Sequence, residues 1–418
     1  MSRIDAPPAV EQPKVGPTSL SSSPRRCSSR DVVILIQGSI WGGAEAHAVV
    51  LAEALTSRGY SPTIFCLDRR TQELFLEKVQ ERVALDVARS VKSVQKRSLA
   101  DWWSAFRPWS KASCIYGKGT LHSGNLALEV VARTVFSRFV TIEHLEPMAL
   151  PPKSSARHFG GLIPGLGLWR HRMRLRGWVR SLMPHRVITV SDAVRERLRR
   201  DYRFASNKMV TIHNGADPSR FQPSLPLRKQ TRDRWQTAED TLVFGSLRRF
   251  VPEKGLDLAI EAFRRFVEVH PERHSILVLL GEGPEEVRLR EQAETLGLRG
   301  RVLFPGFTRE PWLVYPAIDV FVMPSRDESF GIALAEAMLC GCLPIATRVG
   351  GVPEILSSPE LGWLVPPEDT EALAVAMAET ANLAIEKAEA MRRRNSAHIK
   401  TFFDSSVQYS RIVDELES

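Results

Sequence analysis

The sequence has few cysteines, and their spacing fits neither a disulfide framework nor a zinc site. They are Cys27, Cys66, Cys114, Cys340 and Cys342, with no Cys-x-x-Cys pair, so we expect free thiols in a reducing compartment. No apolar run approaches the roughly 18 residues that suggest a membrane span. No secretory apolar region follows the start, so we expect no export. An Asp-x-Asp pair is also missing, which is consistent with chemistry that needs no metal ion.

Length and composition are those of a globular protein with more than one domain. A chain of 418 residues is long enough for two or three domains, each with a sizeable core. The fractions of hydrophobic residues (43%) and charged residues (25%) are ordinary for a soluble protein.

The formal net charge of +9 is concentrated in one segment. Residues 151–203 contain thirteen Lys and Arg against three Asp and Glu, which alone gives +10. Such a segment attracts lipid headgroups, lipid-linked phosphates or nucleic acid. Because no nucleic-acid-binding motif accompanies it, we expect no nucleic acid partner. An anionic membrane surface and an ordinary basic surface helix both remain open.

The alternation of apolar runs predicts an α/β protein with two doubly wound domains. Residues 1–29 are rich in Ser and Pro, which predicts a disordered tail. Strand-like and helical patterns then alternate from Asp31 onward, and a second such series starts at Thr241. Between them, residues 218–240 are rich in Pro and charge and predict a linker. The predicted domains are residues 30–222 and 223–398, followed by a final segment at residues 399–418.

The most informative stretch is residues 325–351, which predicts a loop followed by a helix. Glu328 lies in the loop and Glu336 in the helix, eight steps apart, or on the order of 12 Å at the helical rise. This separation is too large for two carboxylates to share one metal ion. It suits two carboxylates that hold different hydroxyl groups of one elongated ligand. The amides of Phe330 and Gly331, at the helix start, favour an anion between them.

Three other segments carry candidate binding residues at the ends of predicted strands. Arg249 and Lys254 share one strand-to-helix loop, where two cations suit a diphosphate, although two solvated cations are the alternative. Gly42 and Gly43 precede a helix and would let a ligand approach the backbone, or would simply form a tight turn. His144 follows a buried strand, where ligands of open α/β sheets bind, although a lone histidine is more often structural.

These segments resemble the glycosyltransferases of family four. The letters Glu-Ser-Phe-Gly-(x4)-Glu-Ala at 328–337 resemble the paired-glutamate signature of the retaining members of that family. The loop at 248–255 is similar to the family's Gly-Arg-Leu-x-x-x-Lys-Gly, except that Arg248 stands where glycine is common. Further similar blocks begin at Ser191 and lie at residues 210–217 and 305–307. The resemblance spans about residues 31–418.

The resemblance implies a GT-B fold, in which two Rossmann-like domains face each other across a cleft and the final helix returns to the first domain. Glu336 would hold a ribose, Arg249 and Lys254 a diphosphate, and Glu328 the sugar. His144 would contact the transferred sugar, and Gly42–Gly43 would face the donor phosphate and the acceptor. The implied catalytic residues are His144, Glu328, Arg249 and Lys254. The implied donor-binding residues are Gly42, Gly43, Arg249, Lys254, Gly306, Phe307, Glu328, Ser329, Phe330, Gly331 and Glu336.

The implied activity is transfer of a sugar from a nucleotide-sugar donor to a glycan or lipid-linked acceptor with an alpha linkage, with retention by same-face attack. We expect neither a cofactor nor a metal ion, since two cations and a helix start can stabilise a leaving diphosphate. We expect the protein in the cytoplasm or at the inner face of a membrane, which it would contact through residues 151–203. Alternatives are a sugar-nucleotide epimerase, a disaccharide phosphorylase, a non-catalytic sugar-nucleotide sensor and a membrane scaffold.

Overall fold

A computed structural model of the chain describes residues 27–36, 43–67, 72–73, 91–93, 98–118, 125–144 and 166–417. Most of the tail predicted for residues 1–29 lies outside these ranges, as do Gly42 and residues 151–165 of the basic segment. Among the described residues, no helix combines the length and apolarity needed to cross a bilayer. All five cysteines are free thiols.

The first half of the chain builds a parallel sheet, which we call the first sheet, with the strand order β3-β2-β1-β4-β5-β6-β7. Its interior strand β1 consists of six buried residues in a row, because helices cover both faces of the sheet. The strands are β1 Asp31–Ile36, β2 Ser61–Cys66, β3 Val91–Ser93, β4 Ser113–Lys118, β5 Arg138–Glu143, β6 Arg186–Thr189 and β7 Met209–Thr211. The helices are α1 Gly43–Ser57, α2 Leu99–Phe106, α3 Leu126–Val135, α4 Leu166–Leu182 and α5 Asp192–Tyr202.

The second half builds another parallel sheet, the second sheet, with the order β10-β9-β8-β11-β12-β13. The strands are β8 Leu242–Leu247, β9 Ser275–Leu280, β10 Val302–Gly306, β11 Val320–Met323, β12 Leu343–Thr347 and β13 Trp363–Val365. The helices are α6 Leu225–Arg234, α7 Leu256–Val269, α8 Glu286–Thr295, α9 Pro311–Val314, α10 Ile332–Leu339, α11 Val352–Ile355, α12 Thr370–Ala381, α13 Ile385–Phe402 and α14 Ser405–Glu417. The predicted α/β class with two doubly wound sheets is confirmed.

Both sheets reverse their winding direction beside their first strand. In the second sheet β8 pairs with β9 on one side and with β11 on the other, and in the first sheet β1 lies between β2 and β4. At such a switch point the loops after the two neighbouring strands separate and leave a crevice at their carboxyl ends. In the second sheet this crevice is formed by the loops after β8 and β11, and in the first sheet the switch point lies at the carboxyl ends of β1 and β4.

The segment predicted as a linker contains a helix. Ser224 caps α6 by accepting a hydrogen bond from the Leu227 amide. The buried Arg232 pairs with Asp319 at 2.7 Å and donates to three backbone carbonyls of residues 238–241. These bonds fix α6 to the second sheet. The Pro and charge content of residues 218–240 suggested only a linker, because composition does not show that the charged side chains form specific ion pairs.

The carboxyl ends of the two sheets meet through α5 and the loops after β11 and β12. The Ser191 side chain caps α5 and also donates to the carbonyl of Ser329 at 2.6 Å. Glu354 accepts hydrogen bonds from the amides of Asp192 and Ala193, at 2.9 and 3.0 Å, and contacts His213 Nε2 at 2.7 Å. A carboxylate at the start of α5 is favoured by the helix dipole.

The last helix, α14, packs on the first sheet's side of the molecule. Arg58 pairs with Asp414 at 2.6 Å, and the Tyr60 hydroxyl donates to Glu417 at 2.6 Å. A parallel bridge between Ala216 and Asp404 fixes the point where the chain returns from the second half to the first. One continuous cluster of buried apolar side chains therefore runs from β1 through the joint to α14.

A buried ion pair joins α3 to α4 in the first half. The Arg180 guanidinium pairs with Glu129, and both side chains are fully buried. We expect Arg180→Met to lower the free energy of unfolding by about 3–5 kcal/mol, because Glu129 would remain as an uncompensated buried charge. Urea denaturation followed by circular dichroism measures this loss.

The double variant Arg180→Met/Glu129→Leu should recover most of that loss, because it removes both charges of the pair. Arg199→Ala, which breaks an exposed pair with Glu196, should change the stability by about 1 kcal/mol or less. A double variant as unstable as Arg180→Met would show that the charge imbalance is not the cause.

Candidate active site

The loops after β8 and β11 bring three charged side chains together at the switch point of the second sheet. Arg248 Nη2 and Lys254 Nζ both donate to the same oxygen of Glu328, the lysine at 2.9 Å. The side chain of Glu328 is 13% exposed and that of Arg248 only 5%. We call Arg248, Lys254 and Glu328 the charge cluster; its net charge is +1.

Close backbone contacts between the two loops position this cluster. Gly255 has φ of +63°, and a Cβ at this position would lie 2.0 Å from the carbonyl oxygen of Pro324. Only glycine fits there, which explains the Lys-Gly sequence that brings Lys254 to Glu328. Arg326 reinforces the contact, since its amide donates to the Glu253 carbonyl at 2.8 Å and its guanidinium pairs with Asp257 at 2.8 Å.

The charge cluster keeps Glu328 ionised. Burial by itself would raise the pKa of this carboxyl, but Arg248 and Lys254 outweigh burial and lower the pKa to about 2. Burial lowers the pKa of the Lys254 ammonium, and Glu328 opposes that shift. Glu328 can therefore accept hydrogen bonds from ligand hydroxyl groups, and the two cations can face an anion.

The structure separates the two neighbouring arginines of the loop. Arg248 belongs to the charge cluster, whereas the side chain of Arg249, which the resemblance assigns to a diphosphate, is exposed and outside it. The motif comparison gives no role to Arg248, because a glycine is common at its position. The signal that could have identified Arg248 is a charged residue at a position where glycine is common.

Glu336 lies on α10, which begins at Ile332, four residues after Glu328 in the chain. The Tyr315 hydroxyl donates to Glu336 at 3.2 Å. Gly331, with φ of +102°, forms the N-cap of α10 without a side-chain capping bond. The Phe330 side chain is buried against His213 and Phe403, with ring centroids 5.6 and 5.4 Å away. Phe330 thus supports the joint through its side chain, and only its backbone is available to a ligand.

Two further predicted residues lie along the same edge of the second sheet. Gly306 ends β10, and its carbonyl accepts a hydrogen bond from the amide of Gly281, which follows β9. The side chain of Phe307 next to it is half exposed. Both residues therefore lie at the carboxyl end of the sheet, on the side of β8 away from β11.

The first sheet contributes a pair of buried histidines. His144 follows β5, and its ring meets the ring of His47 of α1 edge to face at 4.4 Å. Burial lowers the pKa of His144 to about 4 and that of His47 well below its usual range, so both rings are neutral at pH 7. Gly43 is the first residue of α1, and Gly42 lies outside the described residues.

The structure offers one group of potential metal ligands among the residues it describes. Single ligand atoms of Asp192, His213 and Glu354 lie within 4.8 Å of one another. Glu354 already accepts two amide hydrogen bonds and contacts His213. Asp192 accepts a hydrogen bond from Thr211 at 2.5 Å. These contacts explain the group as part of the joint between the sheets.

Two family models match the two halves of the chain. The model described as Glycosyltransferase Family 4 matches residues 41–220, and the model described as Glycosyl transferases group 1 matches residues 228–398. The chain belongs to the family-four, group 1 glycosyltransferases. The charge cluster and Glu336 lie within the second match, and His144 lies within the first.

Curated members of this family share about a third of the residues over the matched part. A D-inositol 3-phosphate glycosyltransferase of Saccharomonospora viridis is 34% identical over 205 residues, 47% of each chain. A GDP-mannose-dependent alpha-(1-6)-phosphatidylinositol monomannoside mannosyltransferase of Mycolicibacterium smegmatis is 32% identical over 174 residues, which cover 40% of this chain and 45% of the relative. The chain thus matches just under half the length of these relatives.

Solved structures confirm the GT-B fold expected for this family member. HepE of Anabaena in complex with UDP superposes with a TM-score of 0.74 at 19% identity, covering 93% of this chain and 99% of that one. Sucrose-phosphate synthase of Thermosynechococcus elongatus gives a TM-score of 0.71 at 19% identity, with 93% and 98% covered. At these identities the likeness concerns the fold alone.

The charge cluster gives stability a specific pH dependence. The pKa of Glu328 is depressed in the folded state, so its stabilising effect is present above the unfolded pKa near 4.5 and is lost as the pH falls towards 2. Between pH 6 and pH 3 the stability advantage of the wild type over Glu328→Gln should shrink by about 2 kcal/mol. Urea denaturation at several pH values measures it.

Glu360→Gln is the matched control, since Glu360 is an exposed carboxylate on the same half of the chain. Its stability should remain parallel to that of the wild type over this pH range. A constant difference between wild type and Glu328→Gln from pH 6 to pH 3 would contradict the shifted pKa.

Proposed function

We propose that the protein is a glycosyltransferase that moves a sugar from a nucleotide-sugar donor to a glycan or lipid-linked acceptor, with retention and without a metal ion. The observation that carries the proposal is the buried charge cluster at the switch point of the second sheet. It combines a cationic site for a diphosphate with a carboxylate for sugar hydroxyls. Membership of the family and UDP in the complex with HepE support the donor class.

The donor lies along the carboxyl edge of the second sheet in this proposal. Glu336 holds the ribose hydroxyls, and the base lies near Gly306 and Phe307. The diphosphate faces Lys254, a loop arginine and the amides at the start of α10, where the helix dipole favours an anion. Glu328 binds the sugar hydroxyls.

The same geometry supports metal-free departure of the diphosphate. Negative charge grows on the leaving oxygen as the glycosidic bond breaks, and the preorganised cations stabilise it. Glu328 is a weak nucleophile because two cations hold it and its pKa is about 2. This argues for attack by the acceptor from the side of the leaving group, which retains the anomeric configuration without a covalent enzyme intermediate.

The acceptor enters from the first sheet. His144 lies at the carboxyl end of β5 and is neutral, so it can exchange hydrogen bonds with a sugar hydroxyl without competing for the diphosphate. Two relatives are named for inositol phosphate or phosphatidylinositol acceptors. A phosphorylated polyol or a lipid-linked glycan is therefore the acceptor class that we propose.

The competing functions make different predictions about products. A disaccharide phosphorylase would release sugar phosphate with free phosphate as cosubstrate, and an epimerase would change the donor without an acceptor. A sensor would bind nucleotide without turnover. Release of a nucleoside diphosphate that depends on an added acceptor supports the transferase and contradicts all three.

We expect one nucleotide-sugar from a panel of UDP-, GDP- and ADP-sugars to raise the melting temperature of the wild type. A ligand present at about 100 times its Kd should stabilise the native state by about 2.7 kcal/mol. Glu336→Ala and Lys254→Ala should reduce this shift, because they remove the proposed ribose and diphosphate contacts. Differential scanning fluorimetry measures both effects.

Glu389→Ala, which removes an exposed carboxylate of α13, should leave the ligand-induced shift unchanged. If no nucleotide-sugar stabilises the wild type, the proposed donor class is wrong, and the membrane scaffold becomes the better hypothesis.

One face of α4 suits an anionic membrane surface. Leu175, Trp178 and Leu182 are exposed at helical spacing, so they form an apolar stripe. Arg172 and Arg176 are exposed beside it. Apolar side chains flanked by cations are typical of helices that lie in the membrane interface. We therefore propose that the protein works at the cytoplasmic face of a membrane, where a lipid-linked acceptor is available.

Vesicle co-sedimentation tests this surface. The wild type should bind vesicles with 30% phosphatidylserine and not neutral phosphatidylcholine vesicles. The double variant Arg172→Gln/Arg176→Gln should bind the anionic vesicles at least about tenfold more weakly, at about 1 kcal/mol for each basic residue.

Arg393→Gln/Arg394→Gln removes the same charge from exposed positions of α13 and should bind as the wild type does. Equal loss in both double variants would show that net charge, and not the α4 face, drives binding.

A further inference from the structure

The loop after β8 directs its two arginines to different environments. The Arg248 amide donates to the Leu280 carbonyl, and the Phe250 amide donates to the Glu282 carbonyl, both at 2.9 Å. Phe250 is fully buried, so the backbone on either side of Arg249 is fixed. Gly281 lies so close that a Cβ there would be 1.8 Å from the Arg248 carbonyl oxygen. This packing holds Arg248 inside and leaves Arg249 exposed.

Arg248 uses only part of its hydrogen-bonding capacity in the described structure. Nη2 donates to Glu328, whereas Nη1 is buried and has no hydrogen-bond partner among the residues described. A buried donor without an acceptor is strongly unfavourable, and more so on a charged group. The side chain is 95% buried (5% exposed) in a cluster of net charge +1. Such a donor in such a cluster points to an anionic ligand.

We propose that Arg248, and not Arg249, is the arginine that binds the diphosphate of the donor. Nη1 donates to a phosphate oxygen while Nη2 remains on Glu328. The planar guanidinium can serve both partners at once, because its donors lie in a fixed fork. This inference rests on the proposed function and deepens it. One side chain then connects the leaving diphosphate to the carboxylate that binds the sugar.

Calorimetric titration with UDP and GDP tests the assignment, using whichever of the two binds the wild type. Arg248→Ala should weaken the nucleoside diphosphate at least about tenfold, as expected for loss of a charge-assisted hydrogen bond. It should weaken the matching nucleoside monophosphate less, by under about threefold, because that ligand lacks the outer phosphate, which lies next to the sugar and to which we assign the bond. Arg249→Ala should weaken the diphosphate by under about threefold, because its side chain is solvated. Arg393→Ala is the matched exposed control.

Arg248→Lys distinguishes a lost ligand contact from a general loss of stability. It keeps the positive charge beside Glu328 and should therefore keep the melting temperature of the free protein, but its ammonium lacks the guanidinium fork. We expect it to lose most of the diphosphate affinity that Arg248→Ala loses. Unchanged affinity in Arg248→Lys and Arg248→Ala would overturn the assignment.

Two further outcomes would also overturn it. One is a larger loss in Arg249→Ala than in Arg248→Ala. The other is a loss in Arg248→Ala that appears with the nucleotide-sugar but not with the nucleoside diphosphate, which would show that Arg248 acts only through Glu328. If neither UDP nor GDP binds the wild type, the proposed function itself fails, so the two failures are distinguishable.

Discussion

A buried carboxylate is stable in a protein only when its charge is balanced. At Glu328 the balance comes from two cations on a different loop, so the loops after β8 and β11 must stay in contact. Gly255 allows that contact and Arg326 holds it. β8 and β11 are adjacent strands at the switch point of the second sheet. The strand order of this sheet therefore brings their two loops together and makes the cluster possible.

Much of this arrangement could be predicted from the sequence. Alternating apolar runs indicate the sheets, and the Lys-Gly and Glu-Ser-Phe-Gly segments indicate the site. The orientation of Arg248 could not be predicted, because it depends on Gly281, which is more than 30 positions away in the chain. The contact of Glu354 with the start of α5 was missed for the same reason, since its partners are on the other half. Local patterns identify elements, whereas side-chain direction depends on long-range packing.

The joint between the halves is polar at its centre and aromatic at its edge. Ser191 and Glu354 supply directional hydrogen bonds, and His213 packs with Phe330 and Phe403. Ser329 and Phe330 follow Glu328 directly in the chain. A displacement of one half relative to the other would therefore act on the segment that carries Glu328.

The position of α14 also affects how the protein folds during synthesis. The surface of α1, including His47 against Tyr409, is covered by a helix that follows the whole second sheet in the chain. The whole second sheet leaves the ribosome before that helix exists. An apolar face of the first half therefore stays uncovered until the second half has been synthesised. The packing of the first half is completed last, although its sequence comes first.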